Sequence, residues 1–344
     1  SETPELICHG AASDGALIEA SFSQESLFVT SELQGHTRAY NMPSSIEIRG
    51  QLNCSAMAKA VESLVDRHSI LRTYFKKTNE GIFQVVSDNS KPKLSQIDIS
   101  GFGGQIRARK LKTLADIESN HRFNLSEGPL LRISLIKLDT DSYVLQINIH
   151  HILTDGWSGG ILIGELWHLY SDYDQGDSHY LPPLPFQYSD YAIWKRKLLQ
   201  DAELEKQQTY WLNQLKDAPL LCTFPADYPR PPMESHNGGR YSFCLSVELT
   251  EKISALAKNS GVTLFMALFS AFNTLLYRYS GEVDVVVGTP ISNRNHPGLE
   301  KLIGYFVNML VIRSRFASHD TFANVLKIFK ADALQAYAHQ DMPF

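Results

Sequence analysis

The sequence is poor in cysteine: 344 residues hold four, Cys8, Cys54, Cys222 and Cys244, and none stands in CxxC spacing. That scatter argues against a structural zinc site or a disulfide framework, fits a reducing compartment, and leaves the four as small core residues or incidental thiols. A block of lysine or arginine is also missing. The 32 basic and 37 acidic residues give a formal charge of −5, without the electrostatic footprint of a nucleic-acid binder. No apolar stretch approaches the roughly 20 residues that cross a bilayer. Ser1-Glu2-Thr3-Pro4-Glu5 lacks the basic start and apolar run of a signal peptide. These absences predict a cytoplasmic protein that binds neither nucleic acid nor membrane.

What is present is ordinary for a globular chain, with 43% hydrophobic and 20% charged residues. At this length a single core is near its practical limit, so two subdomains sharing an interface are expected, with a cleft for chemistry. The first twenty residues are polar and small, and read as a linker or a frayed terminus. From Ser55 to His68 an apolar stripe of Met57, Val61, Leu64 and Val65 predicts a helix packed on a sheet. Residues 70–75 and 81–86 read as short strands, and 130–137 and 143–149 as strands of clean alternation. A helix over 156–170 follows, and Pro182-Pro183-Leu184-Pro185 ends that region. The subdomain boundary is therefore placed there, giving 21–180 and 181–344.

Beyond it the sequence predicts a long polar helix over 188–215 and a Pro/Gly-rich loop over 225–239. Thr250 and Thr263 are candidate N-caps of two further helices. The second, with Leu264, Leu268, Phe272, Leu275 and Leu276, is expected in the core, and 283–288 as a strand buried on both faces. Both halves run helix then strand, a hint of duplicated architecture without a convincing sequence repeat. The fold class is α/β, an α+β sandwich.

The chemistry concentrates at His150-His151-Ile152-Leu153-Thr154-Asp155-Gly156. Alternation along the preceding strand sets Tyr143, Leu145, Ile147, Ile149 and His151 on one face, and Val144, Gln146, Asn148 and His150 on the other. His151 then ends an apolar face, where desolvation disfavours the imidazolium. From the residues alone, His151 is either a base or a satisfied core histidine. Asp155 is either functional or an ordinary turn residue or N-cap.

The string through Trp157 and Ser158 resembles the HHxxxDG signature of condensation domains of nonribosomal peptide synthetases, within the chloramphenicol acetyltransferase-like superfamily. Other blocks follow in the family's order. Residues 21–28 resemble its opening block, departing from it at Ser23 and Glu25-Ser26. Residues 67–75 resemble RHxxLRTxF and 188–194 resemble YxDYAxW. Residues 303–308 resemble IGxFVN and 339–344 resemble HQDxPF. The resemblance spans Ser21 to Phe344. The chain stops before the family's final Arg-containing block, and complete members continue through further strands and helices.

The resemblance implies two subdomains in a V with a tunnel between them. A donor acyl or peptidyl thioester and an acceptor aminoacyl thioester, on the phosphopantetheine arms of carrier proteins, would meet there at His151 and form an amide. Donor and acceptor peptidyl carrier domains and the adenylation domain of the same synthetase are the implied partners, with no directly bound cofactor and no metal. His151 would deprotonate the amine or orient it, with His150 beside it in the motif facing the other way. Asp155 would act as a scaffold in a salt bridge to Arg294, and Gly156 would either admit substrate and offer its N–H to an oxyanion or serve as a plain turn glycine. Trp157, Ser158, Ser292 and Asn308 are the implied tunnel residues, with a capping or turn role equally open for Asn308. Arg67, His68 and Arg72 read as packing and ion pairing, Trp194 and Trp211 as core or interface aromatics, and Tyr188 and Asp190 as fixing the linker between subdomains. Ala39-Tyr40-Asn41-Met42-Pro43 and the opening block resemble the subtype taking an L-configured donor. Competing outcomes are ester formation, release to a free amine, and a silent module that recruits a partner enzyme.

Overall fold

A computed structural model describes residues 4–10, 14–35, 37–176, 181–221, 224–229, 231–232 and 238–343. Cys222, Phe344, the first three residues and parts of the expected loop at 225–239 lie outside the described residues. The chain forms two compact units, Ser1–Leu199 with Ser292–Val307, and Gln200–Ile291 with Asn308–Phe344.

The first unit runs β1 (Leu17–Glu19), α1 (Phe22–Leu33), β2 (Asn41–Arg49), α2 (Cys54–Arg67), β3 (Thr73–Thr78), β4 (Gly81–Val86), β5 (Leu94–Asp98), α3 (Gly104–Ser119), β6 (Leu131–Asp139), β7 (Ser142–His150), α4 (Gly156–Gln175) and α5 (Tyr188–Leu198). Its main sheet has the order β2-β7-β6-β5, and a smaller one the order β1-β4-β3. β7 pairs antiparallel with both β2 and β6, while β5 joins β6 in parallel. The α2 stripe of Met57, Val61, Leu64 and Val65 is buried as its periodicity predicts, in one cluster with Leu162 and Leu166 of α4 and Leu145 and Ile147 of β7. Each fully buried side chain of this size contributes about 1.5–3 kcal/mol.

Two expectations for this unit change. Ile70 and Leu71 lie in a 3-10 turn over Ser69–Arg72, and the strand begins only at Thr73. β6 and β7 are not half-exposed: every residue of β7 after Ser142 is buried. A second apolar cluster joins Ile136 and Val144 of the sheet to Leu111 and Leu114 of α3, which covers the other face. Of the polar side chains there, Asn148 donates through Nδ2 to the Glu118 carbonyl at 2.6 Å, while its Oδ1 is buried without a partner among the described residues. Among the described N-terminal residues, Leu6 is buried in the core, and the Pro4 carbonyl accepts from Trp194 Nε1 at 2.7 Å.

The second unit contains α6 (Asp201–Gln214), α7 (Val247–Asn259), α8 (Leu264–Ser280), β8 (Asp284–Ile291), β9 (Asn308–Arg315) and α9 (Phe322–Ala338). The long helix expected over 188–215 is therefore two helices, with extended backbone at Gln200 and Asp201 at φ 46° between them. The charges mark this break: Lys195, Arg196 and Lys197 close α5, and Asp201 and Glu203 open α6, each suiting the local helix dipole. Ser246 rather than Thr250 caps α7, whereas Thr263 does cap α8.

The predicted core face of α8 is largely exposed, with Leu264, Leu268, Phe272 and Leu275 each more than 40% accessible. Its packed residues are instead Met266, Ala267, Ser270 and Asn273. β8 likewise is not buried on both faces. The reason is common to both, because β8 and β9 form a sheet of only two strands, and α8 has nothing to cover its second side among the described residues. Among those residues no single helix is long and apolar enough to cross a membrane.

Candidate active site

β7 ends at His150, paired with Asn41 of β2, and the chain turns at once into a 3-10 helix over His151–Leu153. Fully buried Ile152 and Leu153 anchor this turn in the core. Gln24 of α1 donates to the Ile152 carbonyl at 3.3 Å, and the Ile152 N–H donates to His150 Nδ1 at 3.2 Å. The His150 ring is 1% exposed and lies against Tyr40 and Phe123, with centroids at 6.2 and 6.0 Å.

His151 is thus the first residue of the turn and not the last of the strand, and it is half-buried rather than sealed in an apolar face. Its Nδ1 lies 2.7 Å from the Thr154 carbonyl oxygen. A carbonyl only accepts, so Nδ1 carries the proton and the neutral ring presents its lone pair at Nε2. The Tyr305 ring meets His151 edge to face, with centroids 5.0 Å apart at 68°.

Asp155 caps α4: its Oδ1 accepts from the Ser158 N–H at 2.8 Å, and its Oδ2 from the Phe306 N–H at 3.2 Å. Arg294 Nη2 completes the shell at 3.2 Å from Oδ1, with both side chains almost wholly buried. The turn that delivers Arg294 begins at Asn293, whose φ of 50° suits asparagine better than most residues. Arg294 also donates to the carbonyls of Leu299 and Leu302 at 2.5 and 2.8 Å, and to Ser158 Oγ at 2.8 Å. Its guanidinium lies 3.9 Å from the Phe306 ring centroid, a cation–π contact. Burial draws the guanidinium below its ordinary pKa while the Asp155 charge pushes it back up. Arginine stays charged under such conditions.

Gly156 opens α4 in an exposed position, and a β-carbon built on it meets nothing within 4 Å. Trp157 is exposed, with Nε1 donating to the Glu300 carbonyl at 3.0 Å. Ser158 is fully buried, and its hydroxyl joins the Gly304 carbonyl at 3.0 Å and the Gly304 N–H at 3.1 Å. Ser292 is exposed at the start of the segment leading to Arg294. Asn308 belongs to the second unit, where Nδ2 donates to the carbonyls of Gln340 and Met342 at 2.9 and 2.7 Å and so holds the chain's last motif. Within the first unit, the fold brings together His151, Asp155, Ser158, Arg294 and residues 304–306.

Sequence reasoning missed Tyr305 and the pinning of its backbone. The Tyr188 hydroxyl donates to the Tyr305 carbonyl at 2.6 Å and also meets Ser21 Oγ at 2.8 Å. Burial raises the Tyr188 phenol well above its ordinary pKa, which keeps it a donor. The Gly304 requirement is steric, because a β-carbon there would overlap the Tyr188 ring. Gly304→Ala should therefore destabilise the protein by about 1–3 kcal/mol, an overpacking cost read from its denaturation midpoint. An unchanged midpoint would contradict this packing.

Arg67 and His68 converge on a different partner, Glu165 of α4, at 2.9 and 2.7 Å from Oε2. Arg67 also donates to the Pro182 carbonyl, tying α2 to the proline segment. Arg72 pairs with Asp88 at 3.4 Å. Burial alone would raise the Glu165 pKa, but hydrogen bonding and charge from His68 and Arg67 prevail and hold it below its ordinary 4.5. A carboxylate with a depressed folded pKa stabilises above its unfolded value and loses that contribution as pH falls through the folded one. Glu165→Gln should accordingly melt below the parent at neutral pH, with the gap closing as pH drops beneath about 4.5. A gap independent of pH would refute the ion cluster.

Among the described residues no group of three or more His, Cys, Asp or Glu is placed to hold a metal ion. Cys8, Cys54 and Cys244 are free thiols.

The condensation-domain family model matches residues 16–344. The chain is 39% identical over 324 residues to a linear gramicidin synthase polypeptide of Brevibacillus parabrevis, covering 94% of this chain and 4% of that protein. It is 36% identical to phosphinothricin tripeptide synthetase of Streptomyces viridochromogenes, covering 96% of this chain and 30% of that one. The chain thus spans a small part of the synthetases it matches. Among solved structures, the X-domain from teicoplanin biosynthesis in complex with OxyB superposes with a TM-score of 0.87 at 24% identity, over 100% of this chain and 74% of that one. A four-domain nonribosomal peptide synthetase bound to AMP and glycine gives 0.82 at 25% identity, over 98% of this chain and 25% of that one. The first condensation domain of the calcium-dependent antibiotic synthetase gives 0.76 at 20% identity, over 95% and 76%. With its HHxxxDG loop and the buried Asp155–Arg294 pair, the chain belongs to the condensation-domain family of nonribosomal peptide synthetases.

Proposed function

We propose that this domain forms an amide bond between a donor acyl or peptidyl thioester and an acceptor aminoacyl thioester, each tethered by phosphopantetheine to a carrier protein of a cytoplasmic synthetase. The observation that carries the reading is the hydrogen bond from His151 Nδ1 to the Thr154 carbonyl at 2.7 Å, which turns Nε2 into the acceptor. The acceptor amine attacks the donor carbonyl, the C–N bond forms, and the C–S bond breaks. The amine proton passes to His151 Nε2 and on to the departing thiolate.

Holding two tethered reactants in line is worth about 7–11 kcal/mol, so positioning supplies much of the catalysis. An α-amino group with a pKa near 8 is already partly neutral at physiological pH, so a strong base is not required. Gly156 supports the reading from the other side of the reaction. It is the first residue of the 20-residue helix α4, whose opening N–H groups and dipole favour a developing oxyanion. Asp155, Ser158 and Arg294 keep the loop in register. The adenylation domain of the same synthetase would load the acceptor carrier.

The test is reconstitution with carrier proteins loaded with aminoacyl groups or with the matching hydroxyacyl acceptors. Amide product from the amine acceptor is expected, and a preference for the hydroxyl acceptor would instead make this an ester-forming domain. A binding role has one observation in its favour, the fold shared with the teicoplanin X-domain, which was solved in complex with OxyB. No coupling with any acceptor, together with tight binding of a tailoring enzyme, would establish that role.

A further inference from the structure

We infer that Tyr305 contacts the reacting substrate, its hydroxyl donating a hydrogen bond to the carbonyl oxygen of the donor thioester as that oxygen gains charge. The inference rests on the proposed amide-forming reading and assigns a residue to its carbonyl side.

Tyr305 occupies the unassigned position of the Ile303-Gly304-Tyr305-Phe306-Val307-Asn308 block, and four observations set it apart from its neighbours. Its ring is the aromatic partner of His151, edge to face at a centroid distance of 5.0 Å. Its backbone cannot drift, because its carbonyl takes the Tyr188 hydroxyl at 2.6 Å and the flanking Gly304 and Phe306 amides are held by Ser158 and Asp155. The residues on either side are buried while Tyr305 itself is only partly so, which leaves it partly accessible beside the imidazole. Its hydroxyl has no hydrogen-bond partner among the described residues and is not sealed from solvent, since it is not among the buried polar atoms lacking a partner.

A rigid phenol of this kind is a preorganised donor. Burial, with Tyr40 and Asp155 nearby, raises its pKa above the ordinary value, so it keeps its proton at neutral pH. With the His151 Nε2 lone pair committed to the amine, the opposite charge on the carbonyl oxygen falls to donors other than His151, and the Tyr305 hydroxyl joins the Gly156 end of α4 in that role. Such donors act where charge develops, and they affect the chemical step more than ground-state binding.

The experiment is single-turnover and steady-state coupling with aminoacyl-loaded donor and acceptor carriers, comparing the parent, Tyr305→Phe, Tyr305→Ala and His151→Ala. Tyr305→Phe keeps the ring against His151 and removes only the hydroxyl. Its kcat should fall by about 10- to 100-fold, toward the losses seen on removing one oxyanion donor, with KM changed less than about threefold. Its melting temperature should match the parent's. Tyr305→Ala should lose more, because the imidazole also loses its neighbour. Parent-like kcat in Tyr305→Phe, with His151→Ala inactive, would overturn this inference and leave the amide-forming reading standing. No amide product from the parent itself would sink that reading and this inference with it. A rise in KM at unchanged kcat would also overturn it, since it would show uniform binding and no specific aid to the charged carbonyl.

Discussion

His151→Ala is expected to slow amide formation by about 10²- to 10⁴-fold, the usual span for a positioned general acid–base group. It should do so without unfolding the domain. The ring is half-buried, and the turn that carries it is fixed by its neighbours: Ile152 and Leu153 fill the core, Gln24 holds the Ile152 carbonyl, and Thr154 N–H closes on the His151 carbonyl at 3.1 Å. What the substitution removes is the Nδ1 hydrogen bond to Thr154 and the lone pair it directs at Nε2. The check is single-turnover coupling alongside a melting curve. An intact variant that couples at the parent rate would remove His151 from the mechanism.

Asp155→Ala and Arg294→Ala should each fail in the opposite way, through the fold. Asp155 receives the Ser158 and Phe306 amides and the Arg294 guanidinium at a site 1% exposed. Desolvating two charges offsets much of their attraction, so the pair as a whole stabilises little. Removing one partner strands the other and costs about 3–5 kcal/mol. Loss of the α4 cap is part of the Asp155 cost, at about 1 kcal/mol. For a unit of this size each kcal/mol shifts Tm by about 2–4 °C, giving a fall of roughly 6–20 °C for each single variant. The double variant should fall by less than the sum of the two, by an interaction energy of about 0.5–3 kcal/mol. Strict additivity, or an unchanged Tm in the singles, would show that the pair is not coupled. Coupling activity should track the folded fraction.

These two outcomes separate roles that one motif runs together. His150, His151, Asp155 and Gly156 are neighbours in sequence, yet the structure gives them different tasks. His150 is sealed between aromatic rings, His151 faces outward from a turn, Asp155 organises a helix end, and Gly156 starts that helix. Period-two alternation set His150 and His151 on opposite faces, but it put His151 at the end of the apolar face, whereas His150 is the one that is buried. The alternation did not show that the strand stops between them, because the stop depends on the Ile152 amide finding His150 Nδ1, a contact with no signature in hydrophobic pattern.

Elements with a strong local signal were legible. The α2 stripe, β4, and the Asp155 and Thr263 caps all follow from spacing and backbone chemistry, whereas α4 ends at the left-handed Gly176, ahead of the proline run. The α5–α6 break was also written in the charges but was read as one helix, since polar residues continue across it. The apolar side of α8 illustrates the limit of periodicity. A stripe of Leu264, Leu268, Phe272 and Leu275 states that something should cover it, and says nothing of whether the cover lies among the described residues. Tyr305 was invisible for another reason: its meaning comes from contacts with His151 and Tyr188, far apart in sequence, that only the folded chain creates.

The most direct measurement is the ring nitrogen-15 NMR spectrum of His151 in its neutral form, assigned by comparison with His151→Ala. The account predicts a proton on Nδ1, shared with the Thr154 carbonyl, and an unprotonated Nε2. A proton found on Nε2 would leave no lone pair to receive the amine and would contradict it.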